Sequence, residues 1–240
     1  MDKKAIRERM RSASRGADAF WGIGVSAESS LKAAEAGAAW GLINHAVGMT
    51  RDIPSSAIGL LPFADANGAV LAENPAAVDP RLLPVAAVFA NDQFRTRPSL
   101  LSELSVRGYR AVENFPSVGL PEGRFRDMLC EAHMVYGNEI EFIADAVAAG
   151  FFAIGLFFTP EQAALMAKAG ADMLVFHPGL NADGEHREWN QSSKTRFLEA
   201  EGQARGVNPD IVMARSSFDA DGGPPRTAEP GVGVQYDGWM

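Results

Sequence analysis

Side chains able to do acid–base or ligand chemistry recur at one kind of place in this chain, directly after a short apolar run. Glu113 and Asn114 follow the run 109–112, His177 follows 173–176, Asn44 and His45 follow 40–43, and Asn91 and Asp92 follow 85–89. A carboxylate at such a place suits a general base or a metal ligand, and an imidazole suits proton transfer or ligation near neutral pH. Glu113 has a structural alternative, an ion pair with Arg110, Arg124 or Arg126. Asp65 and Asn67 stand two residues apart in LLPFADAN, residues 60–67, just where a helix begins near Ala66. They suit metal ligation or the orientation of an anionic substrate beside the free amides of a helix start, although Asp is also a common helix cap. His133 and His186 fall in a helix and a polar loop, where structural roles fit better.

The elements that must position these residues form a rhythm. Eight apolar runs, 19–25, 40–43, 85–89, 109–112, 151–158, 173–176, 211–214 and 232–236, each end on a polar residue. The remaining terminators are Ser26, Thr159, Arg215 with Ser216, and Asp237. Between runs lie helix-like stretches. Residues 26–37 open on a hydroxyl and close on Gly37, residues 159–170 read Thr-Pro-Glu and close on Gly170, and 97–108 and 123–150 fill the same slot. Hydroxyl caps, Pro in the first turn and Gly at the end are helix boundary signals. Alternating strand and helix with short links predicts a parallel sheet with right-handed crossovers. Eight such units predict an aldolase-type TIM (β/α)8 barrel whose strand ends converge on one rim. The eighth run ends close to Met240, which predicts that the final helix is missing. Residues 1–240 are expected to form one barrel domain, with 1–16 as a tail or short helix. Gly137 is the expected place for any break within 123–150, and an unbroken helix would set Glu131 and Glu139 on one face.

Composition narrows the partners. With 22 basic against 30 acidic residues, a net charge of -8 opposes a phosphate backbone, so no nucleic acid is expected. No run approaches the roughly 18 apolar residues of a membrane span, so no membrane is expected either. Cys130 is the lone cysteine, which excludes an intrachain disulfide and fits a cytoplasmic protein. Phosphate-loop, GxGxxG, GxSxG and HExxH motifs are absent, and Lys32, Lys168 and Lys194 lie off the strands. Nucleotide hydrolysis, hydride transfer, serine-hydrolase and Schiff-base chemistry are accordingly disfavoured.

LLPFADAN at 60–67, ENFPSVGLPEGRFR at 113–126, the segment 134–141 with Tyr136, Glu139 and Glu141, and AGAD followed by HPGL at 169–180 together resemble the phosphoenolpyruvate hydrolase-like TIM-barrel family, also described as a TIM-barrel signal-transduction family. In that family the barrel occurs fused to a Tm-1-like ATP-binding region. The resemblance implies an enzyme acting on a small 2-oxo acid or enol phosphate, of hydrolase or lyase type, usually a homo-oligomer, with a Tm-1-like ATP-binding protein as a partner. With the strand-end positions above, this reading takes Glu113 and His177 as catalytic residues, with Asn44, Asn67, Asn114, Arg126 and Tyr136 binding a small anionic metabolite. Asp65 and Asp92 would hold a divalent metal, Mg or Mn. Two departures stand against this. Charged residues 181–187 replace a threonine- and glycine-rich stretch after the sixth strand, and Arg215-Ser216-Ser217 replaces a His-Gly-Gly motif after the seventh. Small residues at those places let amides approach a phosphate. The alternatives are therefore a catalytically silent barrel that binds an anion and signals, and a structural subunit of an oligomer.

Overall fold

A computed structural model describes residues 2–16, 20–44, 59–61, 65–179, 189–217 and 233–239; in the last segment only the backbone and Val234 are described. Eight parallel strands close into a barrel in sequence order: β1 Trp21–Gly24, β2 Trp40–Ile43, β3 Leu83–Ala87, β4 Ala111–Glu113, β5 Phe152–Phe157, β6 Met173–Phe176, β7 Val212–Ser217 and β8 Gly233–Trp239. Pairing of β1 with β8 completes the ring. The described helices are α1 Lys3–Arg15, α2 Ser30–Glu35, α3 Ala66–Ala72, α4 Arg97–Arg107, α5 Gly123–Glu131, α6 Tyr136–Ala148, α7 Pro160–Lys168 and α8 Gln191–Val207. No helix among the described residues is long and apolar enough to cross a membrane.

Strand alternation sorts side chains onto two faces. Trp40 and Leu42, Leu83, Val85 and Ala87, Ala111, Phe152, Ile154 and Leu156, Met173 and Val175, and Val212 and Ala214 form one cluster filling the barrel's interior. Their neighbours Ile43, Ala86, Val112, Ala153, Phe157, Leu174, Phe176 and Met213 belong to the layer between strands and helices. Gly22 makes room inside: a Cβ there would lie 2.1 Å from the Trp40 indole. The interior is thus a packed core, so chemistry is confined to its ends.

The N-terminal segment closes the bottom. Asp2 caps α1 by accepting from the Ala5 amide at 2.8 Å, and Ile6 and Met10, one turn apart, bury themselves in the interior cluster. Lys3 and Arg7 both pair with the nearly buried Asp172 at the start of β6, whose second oxygen accepts from the Ala153 amide at 2.8 Å. Arg9 reaches the backbone carbonyls of Ala39 and Arg81. Residues 2–16 are therefore a barrel plug more than a tail.

Two expectations are corrected. Residues 123–150 are two helices, and the break falls at 132–135 rather than at Gly137, which lies inside α6. His133 makes the break by taking a left-handed conformation, φ 58°. Glu131 and Glu139 consequently do not share a helix face. The region after β1 is also shorter in helix than expected, Ser30–Glu35 against 26–37, because Ser26 and Ser29 bond each other in a preceding turn.

Candidate active site at the barrel mouth

Continuing the alternation past each strand identifies what closes the interior at its carboxyl end. Asn44 follows Trp40 and Leu42 inward, Glu113 follows Ala111, His177 follows Met173 and Val175, and Ser216 follows Val212 and Ala214. All four are buried, Glu113 completely. An apolar core therefore ends in a polar layer drawn from four strands, the arrangement by which barrels assemble sites from residues distant in sequence. The sequence expectation brings Glu113, His177 and Asn44 to this layer.

His177 has a defined tautomer. Its Nδ1 accepts the Gly179 amide at 2.9 Å, so in the neutral ring the proton resides on Nε2, which is a donor. The local sequence explains the bond. Pro178 has no amide to compete, and Gly179, at φ 97°, turns its N–H back onto the ring. Phe158, inward and directly after β5, packs against the imidazole with ring centroids 5.5 Å apart.

Asn114, directly after β4, has a different setting. Its Nδ2 donates to Glu139 at 2.6 Å and to the Leu156 carbonyl at 3.1 Å, while its Oδ1 accepts from the Leu156 amide at 2.6 Å. Glu139, fully buried at the start of α6, also accepts from the Ser117 hydroxyl and the Val118 amide, each at 2.7 Å. Burial outweighs these three donors and raises its carboxyl from the ordinary 4.5 to about 8. Tyr136 donates to the Leu156 carbonyl at 2.7 Å, and burial, with Glu139 nearby, holds its phenol well above its ordinary range. Asn114, Ser117, Tyr136 and Glu139 thus staple the loop after β4 onto β5 and α6. Gly119 permits the close fit, since a Cβ there would meet the Phe158 ring at 2.4 Å. Arg126 is exposed on α5 and donates to the Gly119 carbonyl at 2.9 Å, outside the inward layer.

A third group sits above β3. Asn67 accepts from the Phe89 amide at 2.9 Å and donates to the Phe89 carbonyl and Asp92, so both ends of its amide are engaged. Asp65 caps α3 through the Gly68 amide at 2.8 Å and takes both terminal nitrogens of Arg95, at 2.6 and 2.9 Å. The Arg95 guanidinium holds the Asp65 carboxyl below its ordinary range. Asp92 accepts from the Phe94 and Arg95 amides and lies 3.5 Å from the same guanidinium. A divalent cation needs carboxylate oxygens with lone pairs to spare. Here the cationic position between Asp65 and Asp92 is filled by Arg95, so the pair as arranged does not fit Mg or Mn. Among the described residues no group of three or more His, Cys, Asp or Glu side chains is placed to hold a metal ion.

Arg215, named with Ser216 as a terminator of the seventh run, faces outward. Its guanidinium lies 4.7 Å from the Trp189 ring centroid, a cation–π contact behind the barrel wall. His45 and the segment 181–187 lie outside the described residues, as does most of 60–67 before Asp65. Arg95 and Ser216 were not singled out for the site by sequence. The signal for Ser216 was present, in the alternation Val212, Ala214, Ser216.

A family model described as phosphoenolpyruvate hydrolase-like matches residues 5–223. Among curated proteins, the chain is 44% identical over 131 residues to the ToMV susceptible protein tm-1(GCR26) and to the ToMV resistance protein Tm-1(GCR237), both from Solanum lycopersicum. Each match covers 54% of this chain and 17% of the tomato protein, so the chain corresponds to a small part of those relatives. Among solved structures, oxaloacetate acetylhydrolase in complex with 3,3-difluorooxalacetate aligns with a TM-score of 0.60 at 13% identity, covering 99% of this chain and 81% of the other. A 2,3-dimethylmalate lyase, a PEP mutase/isocitrate lyase superfamily member, aligns at 0.58 and 13%, covering 97% and 80%. At such identity these neighbours show a shared barrel fold.

Proposed function

Because the chain belongs to the phosphoenolpyruvate hydrolase-like family, we propose that it is an enzyme of the lyase or hydrolase type that enolises a small 2-oxo acid, or handles the corresponding enol, at the carboxyl-end mouth of the barrel. The observation that carries this reading is the pairing of two inward groups of opposite task. Glu113, on β4, is the inward acid placed to take a proton from the carbon next to the carbonyl and to return it. His177, directly after β6, presents an Nε2–H because its Nδ1 is committed to Gly179. A neutral imidazole donor supports the charge that builds on a carbonyl oxygen during enolisation without itself giving up a proton.

In this reading the substrate lies across the mouth with its carbonyl oxygen toward His177 and its acidic carbon toward Glu113. Proton removal moves the C–H electron pair into a carbon–carbon double bond and the carbonyl pair onto oxygen. The apolar floor beneath, with Phe158 beside His177, excludes water from that oxygen, which strengthens the donor's effect. No step is assigned to a metal, since Arg95 fills the place expected for one.

Exchange of the pyruvate methyl protons with solvent deuterium, followed by proton NMR, reads enolisation directly. The wild-type protein should exchange the signal away at a rate proportional to enzyme, with or without added Mg or Mn, and Glu113→Gln should abolish it. Tight binding of pyruvate, oxaloacetate or phosphoenolpyruvate without exchange or turnover would replace the enzyme with a silent anion-binding barrel. Absence of both would overturn the 2-oxo acid reading.

A further inference from the structure

In the polar layer, the Ser216 hydroxyl is explained by no hydrogen bond among the described residues. Ser216 is 2% exposed, and its hydroxyl has no hydrogen-bond partner among the described residues. A buried hydroxyl left unpaired is costly, and native structures rarely keep one without a reason. Its direction follows from the strand. Val212 and Ala214 lie in the interior cluster, Met213 lies in the outer layer, and Arg215 stacks on Trp189 outside. The ladder through Arg215, Ser216 and Ser217 to β8 is uninterrupted, so no bulge rotates Ser216 away. Its hydroxyl therefore opens on the interior at the mouth.

Its neighbour is fixed in the same way. Phe176 of β6 is the register partner of Arg215 of β7, so the next residues along, His177 just past the end of β6 and Ser216 on β7, stand side by side, both inward. Neighbouring parallel strands are spaced about 4.8 Å apart, which lets two donors on them converge on one acceptor atom. Nε2–H of His177 is one such donor; the Ser216 O–H is the other.

We propose that Ser216 Oγ and His177 Nε2 together form a two-donor site for the oxygen that becomes negatively charged in enolisation, which makes Ser216 a catalytic residue that discriminates for ligands with a planar 2-oxo or enolate oxygen. This rests on the enolisation reading above and deepens it. The hydroxyl donates one hydrogen bond, weak to the ground-state carbonyl and stronger to the enolate oxygen; no proton leaves the serine. It explains why the hydroxyl is kept dry and unpartnered: the ligand oxygen is its partner.

Oxalate, a planar dianion resembling pyruvate enolate, serves as the binding probe, with Ser216→Ala, Ser216→Thr and Ser216→Cys as variants. Calorimetric titration should show oxalate binding to wild type, about a tenfold loss in Ser216→Ala, and substantial retention in Ser216→Thr, which keeps the hydroxyl. Pyruvate exchange in Ser216→Ala should fall further than its apparent affinity for pyruvate, because the bond matters most in the enolate. Melting of the ligand-free variant should match or exceed wild type, since no internal bond is lost. Equal oxalate affinity and exchange in wild type and Ser216→Ala would overturn the assignment while leaving enolisation standing. A ligand-free Ser216→Ala that melts well below wild type would mark a structural hydroxyl and overturn it too; Ser216→Cys, close in volume and a poor donor, keeps the binding comparison available if alanine fails to fold. Wild type that neither binds oxalate nor exchanges pyruvate would bring down the enolisation reading itself, and Ser216's role with it.

Discussion

Asn114 Nδ2 lies 2.6 Å from a carboxylate oxygen of Glu139, with both residues fully buried, and the same amide pairs twice with the backbone of Leu156. One side chain thus satisfies a strand of the barrel and a buried acid at once, directly beside Glu113. Asn114→Ala should orphan the Leu156 amide, while the Leu156 carbonyl keeps Tyr136 and the Glu139 oxygen keeps Ser117, costing about 1–3 kcal/mol for the one group that water cannot reach. Urea unfolding should register that loss. Asn114→Asp should be worse, since it replaces the amide donor with a second acid group in a site with little water.

Glu139 ties stability to pH. Its carboxyl is raised in the folded chain from 4.5 to about 8, so the folded protein holds a proton there that the unfolded chain releases. Its contribution is complete below about pH 4.5 and is lost as pH rises through about 8. Ser117 is the partner suited to the protonated state, because its hydroxyl can turn from donor to acceptor, whereas the Val118 amide cannot. Melting temperatures between pH 5 and 8.5 should decline more steeply in wild type than in Glu139→Gln, which has no proton to lose. The variant's own stability should be lower throughout, as its amide faces donors. Parallel pH curves for the two proteins would count against a neutral Glu139.

How far these features were legible in the sequence depends on whether they are local. The strands Trp40–Ile43 and Met173–Phe176 coincide with apolar runs, because an interior strand in a parallel barrel is buried on both faces and reads as continuous hydrophobicity. The inward placement of Glu113 and His177 follows from the same runs by alternation. The break before α6 did not follow, because it rests on a histidine in a left-handed conformation, which composition does not announce. Arg95 was invisible for another reason. Its contact with Asp65 spans 30 residues and depends on two loops meeting, so an acidic pair two elements apart resembled a metal site when it was already neutralised.

Removing that guanidinium should uncover what it holds apart. In Arg95→Met the carboxylates of Asp65 and Asp92 lose their cation while Asn67 keeps its backbone bonds at Phe89. Manganese, followed by the loss of its free-ion EPR signal, should bind the variant more tightly than wild type, with Asp65→Asn in the same background cancelling the gain. Wild type that binds manganese tightly, with no improvement on removing Arg95, would show that these residues rearrange around a metal. Stability should fall only modestly, because Asp65 is partly exposed and an exposed pair contributes about 0–1 kcal/mol.

The tautomer of His177 offers a test at Gly179, two residues along the chain. Gly179 holds the ring by its amide alone, and only from a conformation, φ 97°, that an L side chain resists. Gly179→Ala should therefore shift the amide away from Nδ1, since left-handed backbone costs about 1–2 kcal/mol for residues with a Cβ. Freed from its donor, Nδ1 can carry the proton, and Nε2 then turns from donor to acceptor in part of the population. Pyruvate exchange should fall with little change in oxalate affinity measured at low pH, where a doubly protonated ring donates from both nitrogens. The pH profile should move as well, with the variant's activity declining where the wild type's does not. Substituting His177→Gln, which retains an N–H donor but no second titratable nitrogen, should keep more exchange than His177→Leu and should show no histidine-dependent arm in its profile. Equal exchange in Gly179→Ala and wild type across that range would separate the ring's function from its tautomer and assign His177 to packing against Phe158.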